Sequence, residues 1–109
     1  GQLPFNENIS KEVIKEVLLD FASSNDYSLG NDVWFNSVKL LSIRHQFAEN
    51  NKMFKANRDA YLGHSGDVAE MIRIALTGSK QSPNLYFVIQ ILGKDEVNRR
   101  INEIVEKLA

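Results

Sequence analysis

Apolar positions recur along this chain at three- and four-residue intervals and nowhere in sustained alternation, a pattern of helices rather than strands. Val13, Val17, Leu18 and Phe21 form the first stripe. It follows Ser10, whose hydroxyl can accept from an N–H that the first turn leaves unpaired. The stripe breaks at Ser23-Ser24-Asn25. Asn31 opens a longer helix with Trp34, Val38, Leu41 and Ala48 in line, widened by Phe35 and Phe47. Residues 49–66 are polar, basic and aperiodic, and read as a loop. Asp67 with Glu70 three positions on has the form of a capping box, starting a short helix through Val68, Met71, Ile72 and Ala75 to Gly78. Ser82-Pro83 marks another start, serine as the cap and proline at the first helical position. That helix runs from Leu85 to Leu92 and stops at Gly93. Asp95 caps a last one, with Val97, Ile101, Ile104, Val105 and Leu108 on one face. The expected fold is all-α, a small bundle of about five helices forming a single domain over residues 1–109.

Composition narrows this picture. The chain has 109 residues, 43% hydrophobic and 25% charged, enough for one ordered core and too short for two. No apolar run reaches the roughly 20 residues of a membrane helix, and no signal pattern opens the chain, so the cytoplasm is the expected compartment. The absence of cysteine removes disulfides, thiol nucleophiles and thiolate zinc sites together. Charge changes the picture more than its total of −1 suggests. Residues 1–38 hold two Lys/Arg against six Asp/Glu, whereas residues 39–80 hold seven against four. A local basic segment of that kind can meet a few phosphates, or an acidic protein, without making the whole domain a general polyanion binder.

Little else in the chain carries chemistry. His45 and His64 lie nineteen positions apart, the first along the Trp34 stripe as a packing or boundary residue, the second in the loop and solvated. Neither has a companion set suited to a metal or a catalytic pair. Glu12 and Glu16 lie among lysines on an exposed helix face, and no serine has the surroundings of an activated nucleophile. Gly63-His64-Ser65-Gly66 is too short for a phosphate-cradling loop and follows no strand. No catalytic residue, metal or cofactor is expected within this chain.

The informative stretch is residues 72–102. Arg73 lies near the end of one helix, a turn at Thr77-Gly78 follows, and the chain re-enters a helix at Ser82-Pro83. Such a corner gathers a guanidinium, backbone N–H groups, a hydroxyl and an apolar wall of Pro83 and Leu85 into one concave region. Unstacked bases are recognised by that mixture of stacking and hydrogen bonding to their Watson–Crick edges. The same residues serve as plain architecture if Arg73 pairs with Glu70 or caps a helix end and Ser-Pro only punctuates the chain. A helical adaptor whose 39–80 segment meets an acidic protein partner is the corresponding alternative function.

Arg73, Ala75-Leu76-Thr77-Gly78, Ser82-Pro83, Leu92-Gly93-Lys94 and Arg100-Ile101 occur in fixed order here. In that order they resemble the C-terminal anticodon-binding domain of bacterial glutamyl-tRNA synthetases, class I enzymes that attach glutamate to tRNA using ATP and Mg²⁺. The match is strong over about 30 residues and weaker over most of 31–108. The resemblance implies a fragment of a longer, monomeric synthetase, Gly1 being the remnant of a tag, with tRNA(Glu) as partner and tRNA(Gln) as an open second one. The catalytic domain, with its H-I-G-H-like and K-M-S-K-S-like sequences, is absent. By the same resemblance Arg73 contacts the third anticodon base, and Ser82, Pro83 and Leu85 form the pocket for the middle base. The first base falls to an arginine outside this chain. Asn84 departs from the family, which often has Gly or Asp there. Lys52, Lys55, Arg58 and Lys80 are assigned to tRNA phosphates on charge alone, with exposed solubilising charges as the alternative.

Overall fold

The computed structural model describes residues 3–109; Gly1, read as a tag remnant, lies outside the described residues. Five α-helices follow one another: α1 (Lys11–Ser24), α2 (Asn31–Arg44), α3 (Asn51–Ala56), α4 (Ser65–Thr77) and α5 (Leu85–Leu108). Among the described residues there is no strand, only one isolated bridge between Ala48 and His64. The all-α expectation is met.

The core is built where the stripes meet. α1 presents Ile14, Val17, Leu18 and Phe21, while Val13 is only half-buried. α5 runs along both α1 and α4, and α2 closes the far side. Trp34 is completely buried, with its indole Nε1 donating to Asn25 Oδ1 at 2.7 Å. A buried indole N–H without such a partner costs about 1–3 kcal/mol, so the loop after α1 carries a structural role. Tyr86 Oη donates to Leu29 O at 2.7 Å, and Gln90 Nε2 to Tyr27 O at 3.1 Å, which clasp the start of α5 to that loop.

Several boundaries differ from the periodic reading. α2 stops at Arg44, so Ala48 does not lie on its stripe. Gln46 turns the chain with φ 68°, and Phe47 N–H bonds back to Ser42 O at 2.9 Å. Phe47 and Ala48 therefore reach the core from a loop. Residues 49–66 are not loop throughout: they hold α3 and a 3₁₀ turn over Arg58–Ala60. α3 buries no residue, so it has no apolar stripe to find; its signal is the cap, Asn50 Oδ1 accepting from Met53 N–H at 2.8 Å.

α4 begins three residues before the expected start, because His64 rather than Asp67 is its cap. His64 Nδ1 accepts from Gly66 N–H at 3.0 Å, and Asp67 Oδ2 accepts from His64 N–H at 2.9 Å. Asp67 is thus the far partner of the box rather than its first member, and His64 is not a solvated loop residue. His45 takes the boundary role rather than the packing one. It ends α2, with Nε2 2.7 Å from Asp20 Oδ2. The two expected C-terminal helices are both present within α5, meeting at a kink at Gly93, whose φ 77° and ψ 167° are not helical.

Candidate nucleic-acid interface

The corner between α4 and α5 consists of residues 78–84. Gly78 ends α4 in the left-handed region at φ 77° and ψ 5°, a conformation that costs a side-chain-bearing residue about 1 kcal/mol or more. Thr77 Oγ1 donates to Arg73 O at 2.8 Å and receives Ser79 N–H at 3.2 Å, so the turn is strapped to the residue expected to read a base. Ser79 Oγ in turn accepts from Gln81 N–H at 3.1 Å. From α5, Arg100 Nη1 donates to Leu76 O at 2.7 Å, satisfying a carbonyl that the last turn of α4 leaves open. Glu96 holds Arg100 in place, Nε to Oε2 at 2.7 Å.

Arg73 and Ser82 are brought together. Arg73 Nε donates to Ser82 Oγ at 2.7 Å, and Ser82 Oγ donates to Pro83 O at 2.8 Å. Arg73 forms no ion pair with Glu70, nor with any other carboxylate within 4.0 Å among the described residues. Both side chains are half-buried and Pro83 is exposed, so the corner is an open ledge rather than an enclosed pocket.

One expectation at the corner is corrected. Ser82 does not cap α5; Asn84 does, its Oδ1 accepting from Tyr86 N–H at 2.9 Å. The Ser82 hydroxyl is engaged by Arg73 Nε–H and Pro83 O instead of a backbone N–H of the helix, and the cap falls to Asn84. Asn, Asp and Gly all suit an N-cap, so the departure from the family at Asn84 preserves the function of the position. Leu85 is 1% exposed and starts the buried series that Ile89 continues, so its side chain supports the corner from beneath.

The basic residues divide into two groups. Lys80 lies in the corner loop with Arg73. Lys52 and Lys55 are on α3, and Arg58, in the turn after it, stacks its guanidinium 5.2 Å from the Phe54 ring. That ring lies 6.0 Å from His64, at the opposite end of α4. α4 has 13 residues, so the two groups are about 20 Å apart along its axis. Lys52, Lys55, Arg58 and Lys80 are all exposed, and none has a carboxylate within 4.0 Å among the described residues. Arg44, also counted in the basic segment, is by contrast neutralised by Asp20 through bonds of 3.0 and 3.1 Å. A separate cavity of about 600 Å³, lined by Leu3, Phe5, Ile9, Ile14, Ile104 and Leu108 among others, contains none of these residues.

Comparison with known proteins follows the same outline. Curated relatives include a glutamate–tRNA ligase of Acetivibrio thermocellus, 33% identical over 101 residues, which make up 93% of this chain and 18% of that protein. One from Clostridium beijerinckii is 30% identical over 105 residues, 95% of this chain and 19% of its own length. A shorter match, 55% identical over 40 residues, joins 37% of the chain to 8% of a glutamate–tRNA ligase of Anaeromyxobacter dehalogenans. The chain therefore spans about a fifth of the length of the first of these relatives. No solved structure matches it. The family model described as the anticodon binding domain matches residues 46–105, more than half of the chain and all of the corner. This chain belongs to the anticodon-binding domain family.

Proposed function

We propose that this chain is the anticodon-recognition part of a glutamate–tRNA ligase and that it holds tRNA(Glu) by reading extruded anticodon bases at the α4–α5 corner. The ligase reaction itself, with ATP and Mg²⁺, belongs to the remainder of the longer enzyme, a cytoplasmic monomer. The chain supplies the partner's address and no catalytic group. The observation that carries the reading is the state of Arg73. Its guanidinium is anchored at one edge by Ser82, has no carboxylate to satisfy it among the described residues, and stands beside an exposed proline face. Cytosine at the third position offers the acceptor edge such a cation needs, and a base can stack on Pro83. Lys52, Lys55, Arg58 and Lys80 supply sequence-independent attraction to phosphates.

The test is a titration of the 109-residue chain with tRNA(Glu) and with anticodon-substituted transcripts, at low and at moderate salt. Preference for the authentic anticodon that persists at moderate salt supports base reading. Equal binding to every transcript, or no binding at low salt, removes it. The same titration with tRNA(Gln) decides whether that second tRNA is accepted.

A further inference from the structure

By the family resemblance, Ser82 serves the middle anticodon base and Arg73 the third. The bond between them indicates a different division of labour. A serine hydroxyl has one proton and two lone pairs. Here the proton goes to Pro83 O at 2.8 Å, and one lone pair receives Arg73 Nε–H at 2.7 Å. Ser82 has no proton left to give to a base. Arg73, for its part, has one edge of its planar fork occupied, and only the Nη1–Nη2 edge remains to meet a ligand. That edge presents two parallel donors. Cytosine places two acceptors side by side on its Watson–Crick edge, O2 and N3. Uracil puts an N–H donor where cytosine has N3, and it would face the guanidinium donor for donor.

We propose that Ser82 is a positioning residue for Arg73: by holding Nε it aims the Nη1–Nη2 edge outward and so sets the preference for cytosine over uracil at the third anticodon position. The inference rests on the anticodon reading above. Without the Ser82 oxygen the guanidinium can turn about its last side-chain bonds and offer either edge, and a fork free to turn discriminates less between acceptor patterns.

The experiment measures binding of the chain and its Ser82→Ala, Ser82→Thr, Arg73→Ala and doubly substituted variants. The ligands are tRNA(Glu) transcripts with C or U at the third position, and others altered at the middle position; thermal melts followed by circular dichroism confirm that each variant folds. Ser82→Ala is expected to lower the third-position C-over-U ratio by roughly fivefold or more, since a bond to a charged donor is lost. Ser82→Thr, which keeps the hydroxyl, restores the ratio. Adding Ser82→Ala to Arg73→Ala changes the third-position ratio no further, because the serine acts through the arginine. A Ser82→Ala effect confined to the middle position, or full additivity with Arg73→Ala at the third, overturns the assignment while leaving base reading intact. If Arg73→Ala leaves the third-position ratio unchanged, base reading by this corner fails and the assignment fails with it.

Discussion

Arg73 and Asp20 show how differently two charged residues can be used in one small domain. Asp20 is fully engaged: Arg44 above all, with His45 and Ser24, holds its pKa at about 2 against the upward pull of burial, below the ordinary 3.8. A carboxylate whose folded pKa is depressed stabilises the fold above the unfolded value and loses that contribution as pH falls through the folded one. The expected result is a loss of about 1–2 kcal/mol between pH 4 and pH 2, reduced from the full linkage value because the pair is partly solvated. Urea melts across that range check it, and Asp20→Asn should flatten this part of the profile. Glu96, held at about 2 by Arg99 and Arg100, fades over the same window, so the substitution removes only part of the slope. Arg73 has no carboxylate partner among the described residues and is held by Ser82 alone. Arg73→Ala should cost about 1 kcal/mol of stability through the lost bond to Ser82, and about 1–3 kcal/mol of discrimination at the third anticodon base, read as relative affinities for C- and U-bearing transcripts. The sequence named Arg73 and Ser82 as candidates, but not the bond between them. Nine positions and a turn separate them, and only the approach of two elements decides whether they touch.

At the level of the element, residues that bury apolar surface announced themselves and residues that cap or link did not. α1, most of α2, α4 and both halves of α5 carry stripes that are legible at helical spacing. α3 has no buried side chain, and α4 is opened by a histidine, an uncommon cap; both lie outside what periodicity can detect. Gly78 and Gly93, read from the sequence as stop signals, both have φ 77°, but their ψ values of 5° and 167° differ in consequence. The first lies near the left-handed well that other residues enter at modest cost, whereas the second lies in a region reserved almost wholly for glycine. Gly78→Ala should therefore cost about 1 kcal/mol and Gly93→Ala about 1–3 kcal/mol, with the order Gly93 above Gly78 as the critical outcome in chemical denaturation. A methyl group at either position would meet no atom within 4 Å, so backbone strain alone is being compared.

For the whole molecule, the relevant quantity is where charge stands free rather than how much there is. The formal total is −1, yet Lys52, Lys55, Arg58, Arg73 and Lys80 all stand without a carboxylate partner among the described residues, at the two ends of α4. The sequence showed the surplus in residues 39–80 but not that Arg44 is spent on Asp20, because pairing across α1 and α2 leaves no local trace. Lys55→Ala should weaken all transcripts alike and lower the slope of log affinity against log salt by about 0.7–0.9, leaving third-base preference intact. The anchoring of the corner has a further consequence. Arg100 fixes the last turn of α4, and Tyr86 and Gln90 fix the first turns of α5, so residues 78–84 run between two anchored helix ends. A seven-residue span flanked by two immobile posts loses little entropy when a ligand seats on it, so encounter with RNA requires no slow refolding of the domain.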